Sequence, residues 1–396
     1  MICEKSSFLE LTNACNGPII RVPKKAILPK KKVFFMLKLM RAPLKYVQGE
    51  NALDEFYDIV KDMGKSFLFI CSRSGEKICR PKIEKSCEGK DIRLHFEVFG
   101  GVSSTGEIER MRKIVRDENI DVVVGVGGGS AIDTAKPTAY YEGKKVISMP
   151  TVCATDAPCT GLSVLYEDDG TFKNYIFYPD NPDAVIVDSS VICKAPVRFL
   201  VSGMGDALGT FFEARMCEKA KAPSLENGGV TKSAMALCQL CYDTLLEHGA
   251  KAKKAVELGL MTPDVDAIIE ANTYLSGVGA DNGGLAAAHS IYNGFTALDE
   301  LKSMHGEVVA FGTLVQLILE EASTDEFYEV MDFCTSVGLP VTLGEMGVSD
   351  PEHVKIAAEK ACAEGESIHN MIGDVTPEQL YNAIMVTDAL GREYLA

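Results

Sequence analysis

The sequence predicts an α/β domain with a parallel sheet, followed by an all-α domain. Three observations support this prediction. Short apolar runs alternate with amphipathic segments between residues 45 and 150, a glycine-rich turn joins an apolar run to a helix in residues 121–136, and strand signals nearly vanish after Pro196. Strands that alternate with helices form parallel sheets, which bind ligands at the carboxyl ends of their strands. We therefore divide the chain into residues 1–40, 41–195 and 196–396.

The individual elements are predicted from the period of the apolar residues. Short continuous apolar runs indicate buried strands, and apolar residues three or four positions apart indicate helices. Strands are predicted at residues 45–49, 66–71, 92–99, 122–126, 145–150 and 184–188, with a hairpin that turns at residues 168–170. Helices are predicted at residues 52–62 and 107–119 in the first domain, and at 200–217, 233–247, 263–277, 285–292, 308–321 and 326–336 in the second.

The composition excludes several classes of protein. A chain of 396 residues that is 46% hydrophobic and 24% charged can bury large cores and is not disordered. Its net charge of −16 disfavours nucleic acid as a partner, because phosphate binding needs a basic surface. No apolar run approaches the roughly 20 residues of a membrane span. The 13 dispersed cysteines indicate a reducing compartment, so we expect a soluble cytoplasmic protein with no membrane partner.

Residues 1–40 differ from the rest of the chain. They contain eight Lys or Arg residues against two acids, Glu4 and Glu10, and three prolines interrupt any helix. Three interpretations stay open: a cleaved organelle-targeting segment, a start site placed too far upstream because Met36 and Met40 precede the first patterned segment, and a solvated basic arm. We assign this segment no function.

Residues 121–136, DVVVGVGGGSAIDTAK, combine a buried strand, a glycine turn and a helix. Gly127, Gly128 and Gly129 allow the backbone to turn sharply, and Ser130 is the predicted N-cap of the helix. Unpaired N–H groups and the helix dipole would then face one point, which favours a phosphate or pyrophosphate. The turn does not match G-x-G-x-x-G, and a tight strand–helix connection without a ligand is the alternative.

Three residues of the predicted helical domain are candidate metal ligands. His289 and His305 are each flanked by glycine or small residues, which leave room for a ligand. Asp206, in SGMGDALG, is predicted just inside the start of a helix, where burial without a charge partner would be costly. Three protein ligands and one open position are typical of catalytic zinc. Taken singly, the aspartate is better explained as a helix-dipole partner and each histidine as an ordinary helix residue, so the spacing alone is a weak signal.

Long segments of the chain resemble one family, the glycerol dehydrogenases among the iron-containing (group III) alcohol dehydrogenases. The similarity spans residues 42–395 and is most specific in TDAPCTGLSVLYEDDG, NGGLAAAHSIYNGFTAL and HGEVVAFGTLVQL. It implies the dehydroquinate synthase-like architecture, with a dinucleotide-binding domain, a helical metal-binding domain and a cleft between them. It also implies oxidation of glycerol to dihydroxyacetone, or of small vicinal diols such as propane-1,2-diol, with NAD. The implied metal is Zn²⁺ rather than Fe²⁺, and the implied assembly is a homo-oligomer, often an octamer.

The resemblance also assigns cofactor-binding positions. Gly128 and Gly129 match the pyrophosphate turn, and Ser130 stands where the family often has lysine. After the turn, the residues at the family's cofactor-contact positions are Thr151, Thr160, Leu162 and Tyr166.

By the same matching, Asp206, His289 and His305 are the metal ligands, and His289 also faces the substrate. Asp156 matches an acid beside the nicotinamide and the substrate. A metal with an open position lowers the pKa of a bound alcohol, and hydride then passes to the nicotinamide. We expect Asp156 to assist proton release or to orient a diol hydroxyl.

Two positions depart from the family pattern. Where the family usually has an acid that holds the adenosine ribose, this chain has Ser72 followed by Arg73. A small hydroxyl and an arginine can accept a 2′-phosphate, so we predict relaxed discrimination between NAD and NADP, with a plain surface role for Arg73 as the alternative. Pro137 lies in a helix that the family leaves uninterrupted, and it is predicted late in the first turn or just beyond.

Other readings follow from the same fold. A dehydroquinate synthase or a glycerol-1-phosphate dehydrogenase would require basic residues near the metal, and the neighbourhoods of Asp206 and His289 supply few. A related enzyme that uses NADP on another small alcohol or aldehyde is a further alternative. A catalytically inactive scaffold is disfavoured because all three presumed ligands are present.

Overall fold

Six strands pair into a parallel sheet in the computed structural model, which describes residues 37–396. In chain order the strands are β1 (Tyr46–Gly49), β2 (Ser66–Cys71), β3 (Arg93–Val98), β4 (Val122–Gly127), β5 (Lys145–Pro150), and, after a separate antiparallel hairpin of β6 (Leu162–Tyr166) and β7 (Phe172–Phe177), β8 (Ala184–Asp188). The order across the sheet is β1-β8-β5-β4-β2-β3. The predictions for residues 1–36 lie outside the described part of the chain.

Helices cover both faces of this sheet. A 3₁₀ turn (Ala52–Glu55) leads into α1 (Phe56–Val60), and α2 (Arg73–Ser86), α3 (Thr105–Asp117) and α4 (Gly129–Glu142) follow. Alternate residues of β2 enter opposite cores, because side chains along a strand point to opposite faces. Phe67 and Phe69 pack with α1 and α2, whereas Leu68 and Ile70 pack with α3 and α4.

The remainder of the described chain is helical. It comprises α5 (Ser189–Ile192), α6 (Val197–Ala220), α7 (Lys232–Glu257), α8 (Pro263–Glu270), a π-helical turn (Ala271–Leu275), α9 (Ser276–Gly283), α10 (Ala287–Phe295), α11 (His305–Leu319), α12 (Thr324–Val337), α13 (Leu343–Met346), α14 (Pro351–Ala361), a 3₁₀ turn (Ser367–Asn370) and α15 (Pro377–Leu395). Within residues 37–396, no helix is both long and apolar enough to cross a bilayer.

The structure corrects three local predictions. The helix predicted at residues 263–277 is broken by the π-helical turn into α8 and α9. Gly128, not Ser130, is the N-cap of α4, so the serine is the second residue of the helix. Pro137 is consequently the ninth residue of α4, in its third turn, and the helix continues through it to Glu142.

Candidate metal and cofactor site

The glycine turn follows β4 at the point where the strand order reverses. β4 lies between β5 and β2, and the chain leaves β2 toward β3 on the other side. Ser72 follows β2 and donates its N–H to the carbonyl of Val126 at 2.8 Å. A Cβ on Gly127, whose φ is +156°, would lie 3.0 Å from the Cβ of Ala131 and 3.1 Å from the Cβ of Ser72, so any other residue would be strained there. This reversal point is where open α/β sheets bind their ligands.

The next two glycines leave space at the start of α4. A Cβ on Gly128 would contact only Val152, at 3.5 Å, and one on Gly129 would lie 3.6 Å from Thr155. The N–H of Thr151 donates to the carbonyl of Gly127 at 3.0 Å, which fixes the end of β5 beside the turn. The structure therefore brings four predicted cofactor positions to one edge of the sheet: Ser72, Gly128, Gly129 and Thr151.

Thr160 and Leu162 are held by a residue that sequence reasoning missed. Lys136 of α4 is 2% exposed, and its Nζ donates to the carbonyls of Ala157 (2.6 Å) and Leu162 (2.8 Å) and to Oγ1 of Thr160 (3.2 Å). Burial lowers the pKa of Lys136. This lysine ties the helix behind the glycine turn to the segment after β5. Tyr166 lies further along that segment, at the end of β6.

The three candidate metal ligands converge from three helices. Asp206 lies in α6, His289 is the third residue of α10, and His305 is the first residue of α11. Oδ1 of Asp206 is 3.2 Å from Nε2 of His289 and 3.0 Å from Nε2 of His305, and the ligand atoms of all three residues lie within 4.8 Å of one another. The structure thus brings together residues that are up to 99 positions apart in sequence.

Asp206 is not at the start of its helix, as the sequence suggested. It is the tenth residue of α6 and is 1% exposed, so a role as partner of the helix N-terminal dipole is excluded. Burial opposes ionisation of this carboxylate, but the imidazoles of His305 and His289 hold its pKa below the usual range. A buried anion that faces two imidazoles is a suitable binding place for a cation.

The spacing of these donors suits a metal ion. Donors about 2.1 Å from a tetrahedral zinc are about 3.4 Å apart, and the carboxylate oxygen lies 3.0 and 3.2 Å from the two imidazole nitrogens. One carboxylate and two imidazoles are also ligand types that zinc accepts, and they would leave a fourth position open. The residues present therefore fit the metal that the resemblance implies.

Close contact between two helices brings Asp206 and His305 together. A Cβ on Gly205 would lie 2.2 Å from the carbonyl oxygen of Gly306, and one on Gly306 would lie 1.7 Å from that of Ser202. Both glycines are sequence neighbours of a metal-ligand candidate. The backbones of α6 and α11 therefore touch directly beside the two donors.

Asp156 lies against the donor cluster. Its N–H donates to Oδ2 of Asp206 at 3.1 Å, and its own Oδ2 accepts a hydrogen bond from Ser276 at 3.0 Å. Burial, followed by the negative charge of Asp206, raises the pKa of Asp156 to about 8. The neighbouring Thr155 faces the glycine turn, so residues 155–156 contact both predicted sites.

Comparisons with known proteins agree with this arrangement. The family model of iron-containing alcohol dehydrogenases matches residues 43–189. A glycerol dehydrogenase from Citrobacter freundii is 47% identical over 364 residues, which cover 91% of this chain and 100% of that protein. The chain belongs to the iron-containing alcohol dehydrogenase family.

Other members of this family extend the comparison. The crystal structure of glycerol dehydrogenase from Schizosaccharomyces pombe is 37% identical and superimposes with a TM-score of 0.87, covering 91% of this chain and 93% of that one. A glycolaldehyde reductase from Halobacterium salinarum is 42% identical over 90% of this chain and 99% of its own length. The predicted architecture, a parallel α/β part followed by helices, is therefore confirmed for an iron-containing alcohol dehydrogenase.

Proposed function

We propose that this protein oxidises glycerol to dihydroxyacetone, and small vicinal diols such as propane-1,2-diol in the same way, with transfer of a hydride to NAD. The observation that carries the proposal is the position of residues 155–156. Thr155 faces the glycine turn, while Asp156 bonds to Asp206 of the donor cluster. Consecutive Cα atoms are about 3.8 Å apart. A nicotinamide cofactor on the turn and an alcohol at the metal would thus be within reach of each other.

Asp206, His289 and His305 would hold the metal, and we propose that it is zinc. When bound, zinc supplies Lewis acidity that lowers the pKa of a coordinated alcohol. The chain supplies the rest. Asp156, half-buried beside the cluster and hydrogen-bonded by Ser276, would receive the hydroxyl proton or orient the second hydroxyl.

We also propose that the enzyme accepts NADP as well as NAD. Ser72 caps α2 by accepting a hydrogen bond from the N–H of Gly75 at 3.0 Å, and Arg73 is exposed at the first position of that helix. No acid stands at either position to repel a 2′-phosphate. This places a hydroxyl, a cation and a helix N-terminus at the end of β2, beside the glycine turn.

Reduction of a small hydroxyaldehyde is the second candidate. It is favoured by the 42% identity to a protein named glycolaldehyde reductase. The same donors and the same turn would serve it, because a hydride transfer that oxidises an alcohol runs in reverse to reduce the carbonyl.

One assay separates these functions. The purified full chain is analysed for metal by elemental analysis and assayed by nicotinamide absorbance with glycerol, propane-1,2-diol and glycolaldehyde, each with the oxidised or reduced form of NAD and of NADP. We expect bound zinc and diol oxidation with NAD. A chain that binds zinc but turns over no diol or aldehyde would instead be an inactive scaffold.

We further propose that the protein works in the cytoplasm as a homo-oligomer. The family that the chain resembles often forms octamers. The cysteines in residues 37–396 are all free, and ten of the eleven are buried, which suits a reducing compartment. Light scattering on the eluting peak of a sizing column measures the assembly, and a monomeric mass would contradict the proposal.

A further inference from the structure

Helix α10, which carries His289, begins without a capping side chain of its own. Its N-cap is Ala286, which has no acceptor, although the first N–H groups of a helix need one. Oε1 of Glu213 accepts the N–H of Ala286 at 2.8 Å and that of His289 at 3.0 Å. Oε1 of Gln316 accepts the two N–H groups between them, at 3.0 and 3.2 Å. Two other helices therefore cap α10.

The second oxygen of the same glutamate acts on the imidazole. Oε2 of Glu213 lies 2.5 Å from Nδ1 of His289, and the glutamate is fully buried. A carboxylate at Nδ1 requires a proton on that nitrogen. Nε2 is then the nitrogen that can coordinate a metal, and it lies 3.2 Å from Oδ1 of Asp206. One buried side chain thus holds both the backbone and the ring of this ligand candidate.

The spacing along the helices makes this arrangement possible. Glu213 follows Asp206 by seven residues on α6, and Gln316 follows His305 by eleven on α11. At 3.6 residues per turn these are about two and three turns, so each pair shares one helix face. Each helix that supplies one metal donor also supplies a buried acceptor for the helix that carries the third.

We propose that Glu213 is a positioning residue for the metal centre: it fixes His289 with Nε2 directed at the metal. The proposal rests on the proposed function, because it assigns a role toward the metal of that site. Outer partners of this kind orient a ligand and raise its basicity.

Glu213→Gln in the full chain tests the proposal. Glutamine keeps the volume and one oxygen that can cap α10, but an amide that donates at Nδ1 would move the proton to Nε2, where it blocks coordination. We expect the zinc affinity, measured by competition with a chelator on metal-free protein, to fall roughly 10–100-fold. The melting temperature of the metal-free protein should change little. Glu213→Ala, which also removes the caps, should lower both.

Asp264→Asn is the matched control. Asp264 accepts from Nδ1 of His248 at 2.7 Å, a histidine–carboxylate pair formed outside the donor cluster. The zinc affinity of the Asp264→Asn variant should equal that of the wild type.

The Glu213→Gln variant and the wild type each have one outcome that would overturn the proposal, and the two outcomes are distinguishable. If the wild type binds zinc and the zinc affinity of Glu213→Gln is within about twofold of it, the role of Glu213 is contradicted while the proposed function stands. If the wild-type chain takes up neither zinc nor iron, both the metal centre and the proposed function are contradicted. If Glu213→Gln does not fold, Glu213→Asp decides: its shorter carboxylate should weaken zinc binding about tenfold, and an unchanged affinity contradicts the proposal.

Discussion

The glycine turn after β4 and the donor cluster between α6, α10 and α11 are built in opposite ways. The turn offers backbone N–H groups and open space, since a Cβ on Gly128 would contact only Val152, at 3.5 Å. The cluster consists of the buried carboxylate of Asp206 and two half-buried imidazoles, one of which is held by the buried Glu213. A cofactor phosphate needs close approach to backbone, whereas a metal needs side-chain donors at fixed distances. The turn is therefore sensitive to added atoms, and the cluster to removed ones.

Removal of a donor should have the largest effect. His289→Ala and His305→Ala should each lower zinc affinity by more than about 100-fold, because even loss of an outer partner costs 10–100-fold. Zinc content by elemental analysis and turnover of glycerol should fall together. Unchanged zinc in either variant would refute the assigned role of that histidine.

Asp156→Ala should separate chemistry from metal binding. We expect kcat to fall roughly 100-fold or more, as is usual for loss of a group that moves a proton. The zinc content should be retained, because the contact of Asp156 with Asp206 is made by its backbone N–H. If zinc is lost instead, Asp156 belongs among the metal ligands.

Gly128→Ala tests the opposite sensitivity at the turn. Gly128 has φ −83° and ψ −173°, which alanine also adopts, so the fold should be kept. A methyl group in the open space should weaken NAD binding about tenfold, measured by fluorescence titration, since it opposes close approach of the phosphates.

Gly125→Ala is the matched control for that variant. Its Cβ would lie 2.9 Å from both the Cβ of Ala135 and the Cα of Ile132, inside the core. It should cost about 1–3 kcal/mol in the free energy of unfolding through overpacking. If Gly128→Ala binds NAD with the affinity of the wild type, the proposal that the glycine turn holds the cofactor phosphates is contradicted.

Ser72→Asp should have the smallest effect. Aspartate caps a helix as well as serine does, so α2 should stay intact. The added charge should raise the preference for NAD over NADP about fivefold, by repulsion of the 2′-phosphate. The measurement is kcat/KM with each cofactor. If kcat/KM of the wild type for NAD exceeds that for NADP by more than ~1000-fold, the prediction of relaxed discrimination is wrong.

The sequence predicted the sheet well and the helix starts less well, for physical reasons. Buried parallel strands are continuous apolar runs, so the predicted strand at residues 66–71 coincides with β2. Helix starts depend on capping, and α6 begins at Val197 after Pro196, which has no side-chain cap. Asp206 was therefore predicted near an end although it lies well inside the helix.

The candidate metal ligands could be predicted from residue type and resemblance, but their supports could not. Glu213 contacts residues 73 and 76 positions away, and Gln316 contacts residues 28 and 29 positions away. Contacts between residues so far apart cannot be predicted from the local sequence pattern. An acid directly after the apolar pair Phe211 and Phe212, two turns from Asp206, was the one available signal.

The capping of α10 by other helices has a consequence for the order of assembly. A peptide of residues 286–295 should be unstructured in water, because its first turn has no acceptors of its own and short helices are marginal. The turn that carries His289 should form only after α6 and α11 have docked. We therefore expect metal uptake to follow folding of this chain, so that zinc added during refolding loads finished molecules and does not hasten their formation.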